Sequence, residues 1–374
     1  MNQVSLFDLL PEDDPMREAF APKKSTDWKW SMKEDYPATK NGLKVFSCFA
    51  CGGGSTMGYK LAGCEVLGCN EIDPRMNKVY VANHKPKYNY LMDIRDFNKL
   101  DDLPEELFRL DILDGSPPCS TFSMAGQREE AWGVEKRFKE GQKLQTLDDL
   151  LFVFIDTVAK LKPKVAIMEN VEGLLLGNAF EYVKEIYSRF HKIGYKVRHE
   201  LLKGEQMGIP QTRHRVVFIA TRLDFDLRNI DLSFYYEKVT YGACKDGYGR
   251  KLGEGTHSYY LISNAKPGDK CLADTRVRLG EKGSAFQTYY IRDDEVIPTL
   301  RGKPDVIDIE KKCYISKETI RNSQTFPQDF DFGSDSYSSV GYICGMSVPP
   351  IMMKRVVERL IESKIFEIGE KVND

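Results

Sequence analysis

Residues 43 to 72 read L-K-V-F-S-C-F-A-C-G-G-G-S-T-M-G-Y-K-L-A-G-C-E-V-L-G-C-N-E-I. An apolar run, a glycine turn, a short helical stretch ending at Gly63 and a second apolar run make one βαβ unit. Strands joined in this way lie parallel, and a parallel sheet needs helices over both faces. The alternation continues through a helix around residues 74 to 82, a short strand ending near Ile94 and the strand L-D-I-L-D-G. A periodic helix, L-D-D-L-L-F-V-F-I-D-T-V-A-K-L, then leads to the strand K-V-A-I-M-E-N-V. The predicted fold is therefore α/β, a mostly parallel sheet with helices on both faces and ligands gathered at the carboxyl ends of its strands.

Two later strands, Y-K-V-R-H-E-L-L and H-R-V-V-F-I-A-T-R, have no crossover helix between them, which predicts an antiparallel pair at one sheet edge. Beyond Arg222 the chain is rich in Tyr, Gly, Lys and Arg with little helical periodicity, as in a small loop-rich β domain. The expected organisation is an N-terminal extension over 1–43, a catalytic domain over 44–222, a second unit over 223–297 and a returning segment over 298–374. That last segment ends in the amphipathic helix P-P-I-M-M-K-R-V-V-E-R-L-I-E-S.

Composition narrows the class only slightly. The chain has 374 residues, 41% of them hydrophobic, and its longest apolar stretches, such as Leu150 to Ile155, are too short to span a bilayer. Its first residues lack a basic flank followed by an apolar run, so a cytoplasmic protein is expected. Nine cysteines without framework spacing argue for reduced thiols. Cys48-x-x-Cys51 lacks the second pair that zinc needs, so no metal is expected. The formal net charge of -2 neither demands nor excludes a nucleic-acid partner, because an acidic body can carry a local basic cleft.

Four constellations sit at predicted strand ends. The first is the glycine turn with Glu71 at the tip of the second strand, which suits a nucleoside whose ribose hydroxyls the carboxylate accepts, or is simply a turn. Next comes G-S-P-P-C, where two prolines stiffen the loop that presents Cys119 as a nucleophile or as an inert buried thiol. Third is Glu169-Asn170-Val171, with an acid at the end of a buried strand where packing has no use for it. In the last, Q-T-R-H-R, period two points Gln211, Arg213 and Arg215 to one face, toward anions and acceptors or toward solvent.

In this order, F-A-C-G-G-G, N-E-I-D, M-D-I, G-S-P-P-C-S-T-F-S, M-E-N-V, Q-M-G-I-P-Q-T-R-H-R, Q-T-F-P-Q-D-F and G-M-S-V-P-P resemble the motifs of DNA (cytosine-5) methyltransferases. The resemblance runs from Lys44 to about Leu360. It implies a Rossmann-like S-adenosylmethionine-dependent methyltransferase sheet, with a target-recognition region after Arg222. Phe49, Ala50, Gly52, Gly53, Gly54, Glu71, Ile72, Asp93, Ile94 and Pro118 would then hold S-adenosylmethionine, Phe49 against the adenine and Glu71 on the ribose. Cys119 would add to carbon 6 of a flipped cytosine, Glu169 would bond N3 and the exocyclic amine, and Arg213 or Arg215 would bind the base carbonyl. Ser123, Gln127, Gln211, Lys245, Arg250, Lys251, Arg276 and Arg278 would contact DNA, and the polar stretch after Cys119 would close over the base. Two departures stand out: Cys51 replaces the first motif glycine, and Met346 stands where asparagine is usual.

The implied partners are duplex DNA and a cognate restriction endonuclease, with the chain itself a monomer. Separately, Gln3 to Phe7, Q-V-S-L-F, resembles the peptide by which bacterial replication proteins dock on the sliding clamp. Three rivals are weighed against this reading. An amino-methyltransferase would carry an aromatic residue in place of Cys119, a tRNA-directed cytosine methyltransferase would carry a C-F-T signature absent here, and an idle DNA adaptor would not need Cys119 and Glu169.

Overall fold

The computed structural model describes residues 11, 21–118, 149–282, 288–303 and 305–368. Its main strands are β1 (Lys44–Cys48), β2 (Glu65–Glu71), β3 (Tyr88–Leu91), β4 (Ile112–Gly115), β5 (Val165–Val171), β6 (Lys196–Lys203), the two-residue β7 (Gln211–Thr212) and β8 (His214–Thr221). Seven of them form one sheet in the order β3-β2-β1-β4-β5-β8-β6. The pairs from β3 to β5 are parallel, whereas β8 runs antiparallel to both β5 and β6. The expected antiparallel edge pair is thus present, with β8 inserted between β5 and the edge strand. Strand order reverses between β1 and β4, and that switch point opens a crevice at their carboxyl ends.

Period two explains why these strands read as nearly unbroken apolar runs. Phe46, Leu113, Ala166, Met168, Val216 and Phe218 face one core, filled by Phe154 and Val158 of the helix Leu150–Leu161 and by Ile186 and Phe190 of Phe180–Lys192. Val45, Ile112, Val165, Ile167, Val217 and Ile219 face the other core. That side is covered by Tyr59 of the helix Gly54–Leu61 and by Met352, Met353, Val356 and Val357 of the final long helix, Pro350–Glu362. The chain end therefore returns to roof the sheet on which the first unit was built.

A smaller unit differs from the loop-rich β domain expected after Arg222. Three short helices, Tyr241–Cys244, His257–Ser263 and Leu272–Arg278, precede a three-stranded sheet of β9 (Tyr289–Ile291), β11 (Val306–Asp308) and β12 (Cys313–Tyr314). Helices of four to seven residues, one of them started by the Thr256 side chain accepting from the Tyr259 N–H, are too short to imprint a periodicity. Strands from both sides of residue 297 pair in this sheet, so the small unit continues past the expected boundary. The intervening β10 (Ile297–Pro298) pairs with β7 and joins the unit to the main body.

Before β1, described residues Asp27 and Trp30 tie the chain to the main body. Trp30 is buried and donates its indole N–H to the Thr325 carbonyl at 2.8 Å, while Asp27 pairs with the buried Arg355 at 2.8 Å. Among the described residues no helix is long and apolar enough to cross a membrane.

Gly58 marks the closest approach of the first helix to the last: a Cβ there would lie 2.6 Å from the Pro350 carbonyl oxygen and 2.6 Å from the Met353 Cβ. Alanine gains about 1 kcal/mol of helix propensity, but overpacking against backbone costs about 1–3 kcal/mol, so Gly58→Ala is expected to destabilise. Urea denaturation checks this. A lowered midpoint is predicted, and an unchanged or raised one contradicts the packing argument.

Candidate active site

The glycine turn leaves β1 through two left-handed non-glycine residues, Phe49 at φ 54° and Cys51 at φ 48°, followed by Gly53 at φ 86°. Cys51 thus takes a backbone conformation that favours glycine, and its replacement of the motif glycine carries local strain. The turn is held by Glu71, whose carboxylate accepts from the Cys51 N–H at 2.7 Å and from the Ile72 and Asp73 N–H groups at 2.9 Å. Burial pushes this carboxyl above its usual range against the opposing pull of those three donors. Nearby, Asp93 caps the helix Ile94–Phe97 and pairs with Arg95, and Asn70 spans to the Tyr90 and Met92 carbonyls.

These groups line a cavity of about 1010 Å³ at the switch point. Phe49, Ala50, Gly54, Glu71, Ile72, Asp93, Ile94 and Pro118 all line it. Gly52 and Gly53 do not. A Cβ on Gly52 would lie 2.7 Å from Ile343, and one on Gly53 would lie 2.1 Å from the His84 ring, so protein packing by itself requires glycine at both positions. At Gly54 the built Cβ falls 2.0 Å from the Val348 carbonyl oxygen, so even this pocket glycine is fixed by the returning chain.

The same cavity reaches the ends of β4 and β5. Ser116, Pro117 and Pro118 form part of its wall, and the Asn170 side chain donates to the Pro117 carbonyl at 3.2 Å, tying the proline loop to β5. Glu169 is buried at the same strand end, with its Oε1 2.7 Å from the Arg215 Nε. Cys119, Ser123 and Gln127 lie outside the described residues. Beneath this region Asp114 accepts from the Ser47 and Tyr59 hydroxyls, and its burial pushes the carboxyl up to about 7. Neither the Asn170 clip nor Asp114 is evident in the sequence, because each depends on a neighbour more than fifty positions away.

The arginines and glutamine of Q-T-R-H-R separate in role. Gln211 is fully buried: it donates to the Ser323 carbonyl and the Gln324 side chain and accepts from the Leu300 N–H, which removes it from any DNA contact. Arg213 interrupts the strand between β7 and β8, so the shared face that period two predicts is not formed. The residue is 3% exposed, and its guanidinium donates to the carbonyls of Leu300, Gly345 and Ser347 at 2.9–3.3 Å. Arg213 therefore clasps the chain end, and Arg215 is the one that meets Glu169.

Three of the basic residues expected on DNA have acidic partners instead. Lys245 pairs with Asp293 at 2.6 Å, Arg278 with Asp269 at 2.7 Å, and Arg276 lies 3.7 Å from Glu281. Arg250 sits over the Tyr314 ring, and the exposed Lys251 bridges its backbone to Cys313; neither has a carboxylate partner among the described residues.

Lysine at position 213 would carry one compact ammonium where three carbonyls expect a planar fork. Arg213→Lys is expected to lower stability by about 2–3 kcal/mol, since buried carbonyls lose charge-assisted bonds. An unchanged urea midpoint would contradict the clasp.

The family model for C-5 cytosine-specific DNA methylase matches residues 43–362. The Type II methyltransferase M.FnuDI of Fusobacterium nucleatum is 26% identical over 366 residues, covering 86% of this chain and 96% of its own. Orphan methyltransferase M.Rho11sI of Bacillus phage rho11s is 27% identical over 308 residues, 80% of this chain and 56% of that one. Among solved structures, the Entamoeba histolytica methyltransferase EhMeth aligns over 86% of this chain and 99% of its own, with a TM-score of 0.54 at 15% identity. A Spodoptera frugiperda DNMT2 mutant aligns over 86% and 100%, with a TM-score of 0.56 at 14% identity. At these identities the structural likeness speaks for the fold alone. With one family model running from the residue before β1 to the end of the last long helix, this chain belongs to the C-5 cytosine-specific DNA methylases.

Proposed function

We propose that the cavity is where S-adenosylmethionine and a cytosine turned out of duplex DNA meet, with Cys119 as the nucleophile. The enzyme is a DNA (cytosine-5) methyltransferase by family, and the proposal concerns which residues do the work. One observation carries it: a single cavity joins the Glu71 cradle to the Glu169–Arg215 pair and is walled by Ser116, Pro117 and Pro118, the residues leading into Cys119.

The donor set fits the cofactor. Glu71 Oε1 already accepts two backbone N–H groups, whereas Oε2 accepts one and keeps a lone pair for a ribose hydroxyl. Phe49, Ile72 and Ile94 offer apolar surface to an adenine. When bound, the cofactor supplies an electrophilic methyl group on a positive sulfur.

Carbon 5 of cytosine is a poor nucleophile until a thiolate adds to carbon 6. The Cys119 sulfur forms that bond as the ring electrons move through carbon 5 toward N3, where Glu169 shares a proton with the developing charge while its other oxygen accepts from the exocyclic amine. Arg215 holds Glu169 in place through Nε, donates from Nη1 to the His214 carbonyl, and would offer Nη2 to the base carbonyl. After methyl transfer, solvent water takes the carbon 5 proton as the carbon 6–sulfur bond breaks, which expels the Cys119 thiolate, and the proton shared at N3 returns to Glu169 to restore the aromatic ring. Arg250 and Lys251 remain as phosphate contacts of the small unit, where Lys245, Arg276 and Arg278 are neutralised within the protein.

The Type II and orphan names of its relatives support two settings for this enzyme, with and without a partner endonuclease. Docking on a sliding clamp rests on Gln3 to Phe7 alone, which lie outside the described residues. A peptide of residues 1–12 that fails to bind purified clamp rejects it.

Calorimetric titration of S-adenosylmethionine separates the two halves of the site. Glu71→Ala is expected to weaken binding at least about tenfold, or about 1.4 kcal/mol, whereas Cys119→Ala keeps the affinity and loses all methyl transfer. Unchanged affinity in the first variant, or activity in the second, overturns the assignment.

A further inference from the structure

His214 lies between Arg213 and Arg215, and each of its ring nitrogens faces a carboxylate. Nδ1 is 3.2 Å from the Glu172 Oε2, in the turn that follows β5, and Nε2 is 3.0 Å from the Glu205 Oε1, in the turn that follows β6. A neutral imidazole carries one N–H and can donate to only one of them, whereas the imidazolium donates to both. Glu205 sharpens the requirement: its side chain is 14% exposed, and its second oxygen is buried with no hydrogen-bond partner among the described residues. Without the imidazolium that buried carboxylate loses its charge-assisted bond and is left with its own backbone N–H and the charge of Lys203.

The clasp touches the chemistry through two short paths. Glu172 stands three residues after Glu169, and both it and His214 line the active-site cavity. On the other side, the His214 carbonyl accepts from the Arg215 Nη1 at 2.7 Å, and the Arg215 Nε lies 2.7 Å from Glu169. Holding His214 therefore fixes both the strand end that carries Glu169 and the backbone that orients its arginine.

We propose that His214 is a positioning residue whose imidazolium, bridging Glu172 and Glu205, holds the Glu169–Arg215 pair in its catalytic geometry and so makes methyl transfer depend on His214 protonation. The inference rests on the assignment of Glu169 and Arg215 to the base. The facing charges are Glu172 from the turn after β5, Glu205 from the turn after β6, Lys203 opposite His214 in the β6–β8 register, and Arg215 next in the chain. The bond to Glu205 raises the imidazole above its usual value of 6.5 despite partial burial. For Glu205, burial pushes the carboxyl up most strongly of any one cause, but the bond from His214, its own backbone N–H and the charges of His214 and Lys203 together bring it below its usual value. The sign follows: the clasp is complete below the ordinary imidazole value, is lost as pH rises through the raised folded value, and is lost at the acid end as Glu205 protonates.

The test compares kcat for DNA methylation by the full chain, wild type against His214→Gln, between about pH 6 and 9. The Cys119 thiolate fraction also changes with pH, but equally in both proteins, so the ratio of variant to wild type isolates His214. That ratio is expected to be about one tenth at pH 6 and to climb toward one as wild type loses its imidazolium. His214→Arg, permanently charged with several donors, is expected to restore activity at the alkaline end. A ratio that stays constant with pH overturns the proposal. Should His214→Gln fail to fold, NMR titration of the wild-type ring decides: a folded pKa at or below 6.5 equally overturns it. If Glu169→Gln leaves methylation intact, the assignment of the base site fails instead, and the ring titration still reports whether the clasp exists.

Discussion

The buried guanidinium of Arg213 is the interaction on which the rest of the site depends. It collects the carbonyls of Leu300, Gly345 and Ser347, three groups contributed by the last quarter of the chain. The stretch it holds is the one that closes on the glycine turn: Ser347 Oγ lies 3.6 Å from Cys51 Sγ, and the Val348 carbonyl occupies the space over Gly54. A sheet built from the N-terminal half would leave its switch-point crevice open on one side, and this clasp supplies the missing wall. Removing one partner of such a buried charge is worth several kcal/mol, far more than any surface ion pair.

Around that wall the charged groups are arranged in fixed pairs rather than left as a diffuse field. Glu71 is spent largely on backbone N–H groups and keeps little capacity for a ligand, which gives the cradle its direction. Glu169 and Arg215, 10% and 12% exposed, form an ion pair whose desolvation is hard to justify by stability alone. We propose that its use lies in preorganisation, with the carboxylate already oriented before the base arrives, so that little reorganisation accompanies the reaction. Asn170 adds the link to the proline loop, bringing the segment that leads to Cys119 to the end of the same strand.

Much of the framework was legible because it is local. Strand, glycine turn, helix and strand follow one another within thirty residues, and alternation along β5 and β8 marks two buried faces. What the sequence could not supply is who faces whom. Gly52 and Gly53 look like ligand glycines until Ile343 and His84 are seen against them. Arg213 and Arg215 are two apart, yet the break between β7 and β8 sends one to the chain end and the other to Glu169. Lys245 reads as a DNA contact because its partner Asp293 is 48 positions away, and the short helices before β9 leave no periodic trace.

The proposed chemistry is methylation of carbon 5 of cytosine in this cavity through Cys119. Nucleoside mass spectrometry of duplex DNA treated with the enzyme and methyl-labelled S-adenosylmethionine tests it most directly. Label is expected in 5-methylcytosine with wild type and nowhere with Cys119→Ala. Label in N4-methylcytosine or N6-methyladenine, or 5-methylcytosine made without Cys119, would contradict it.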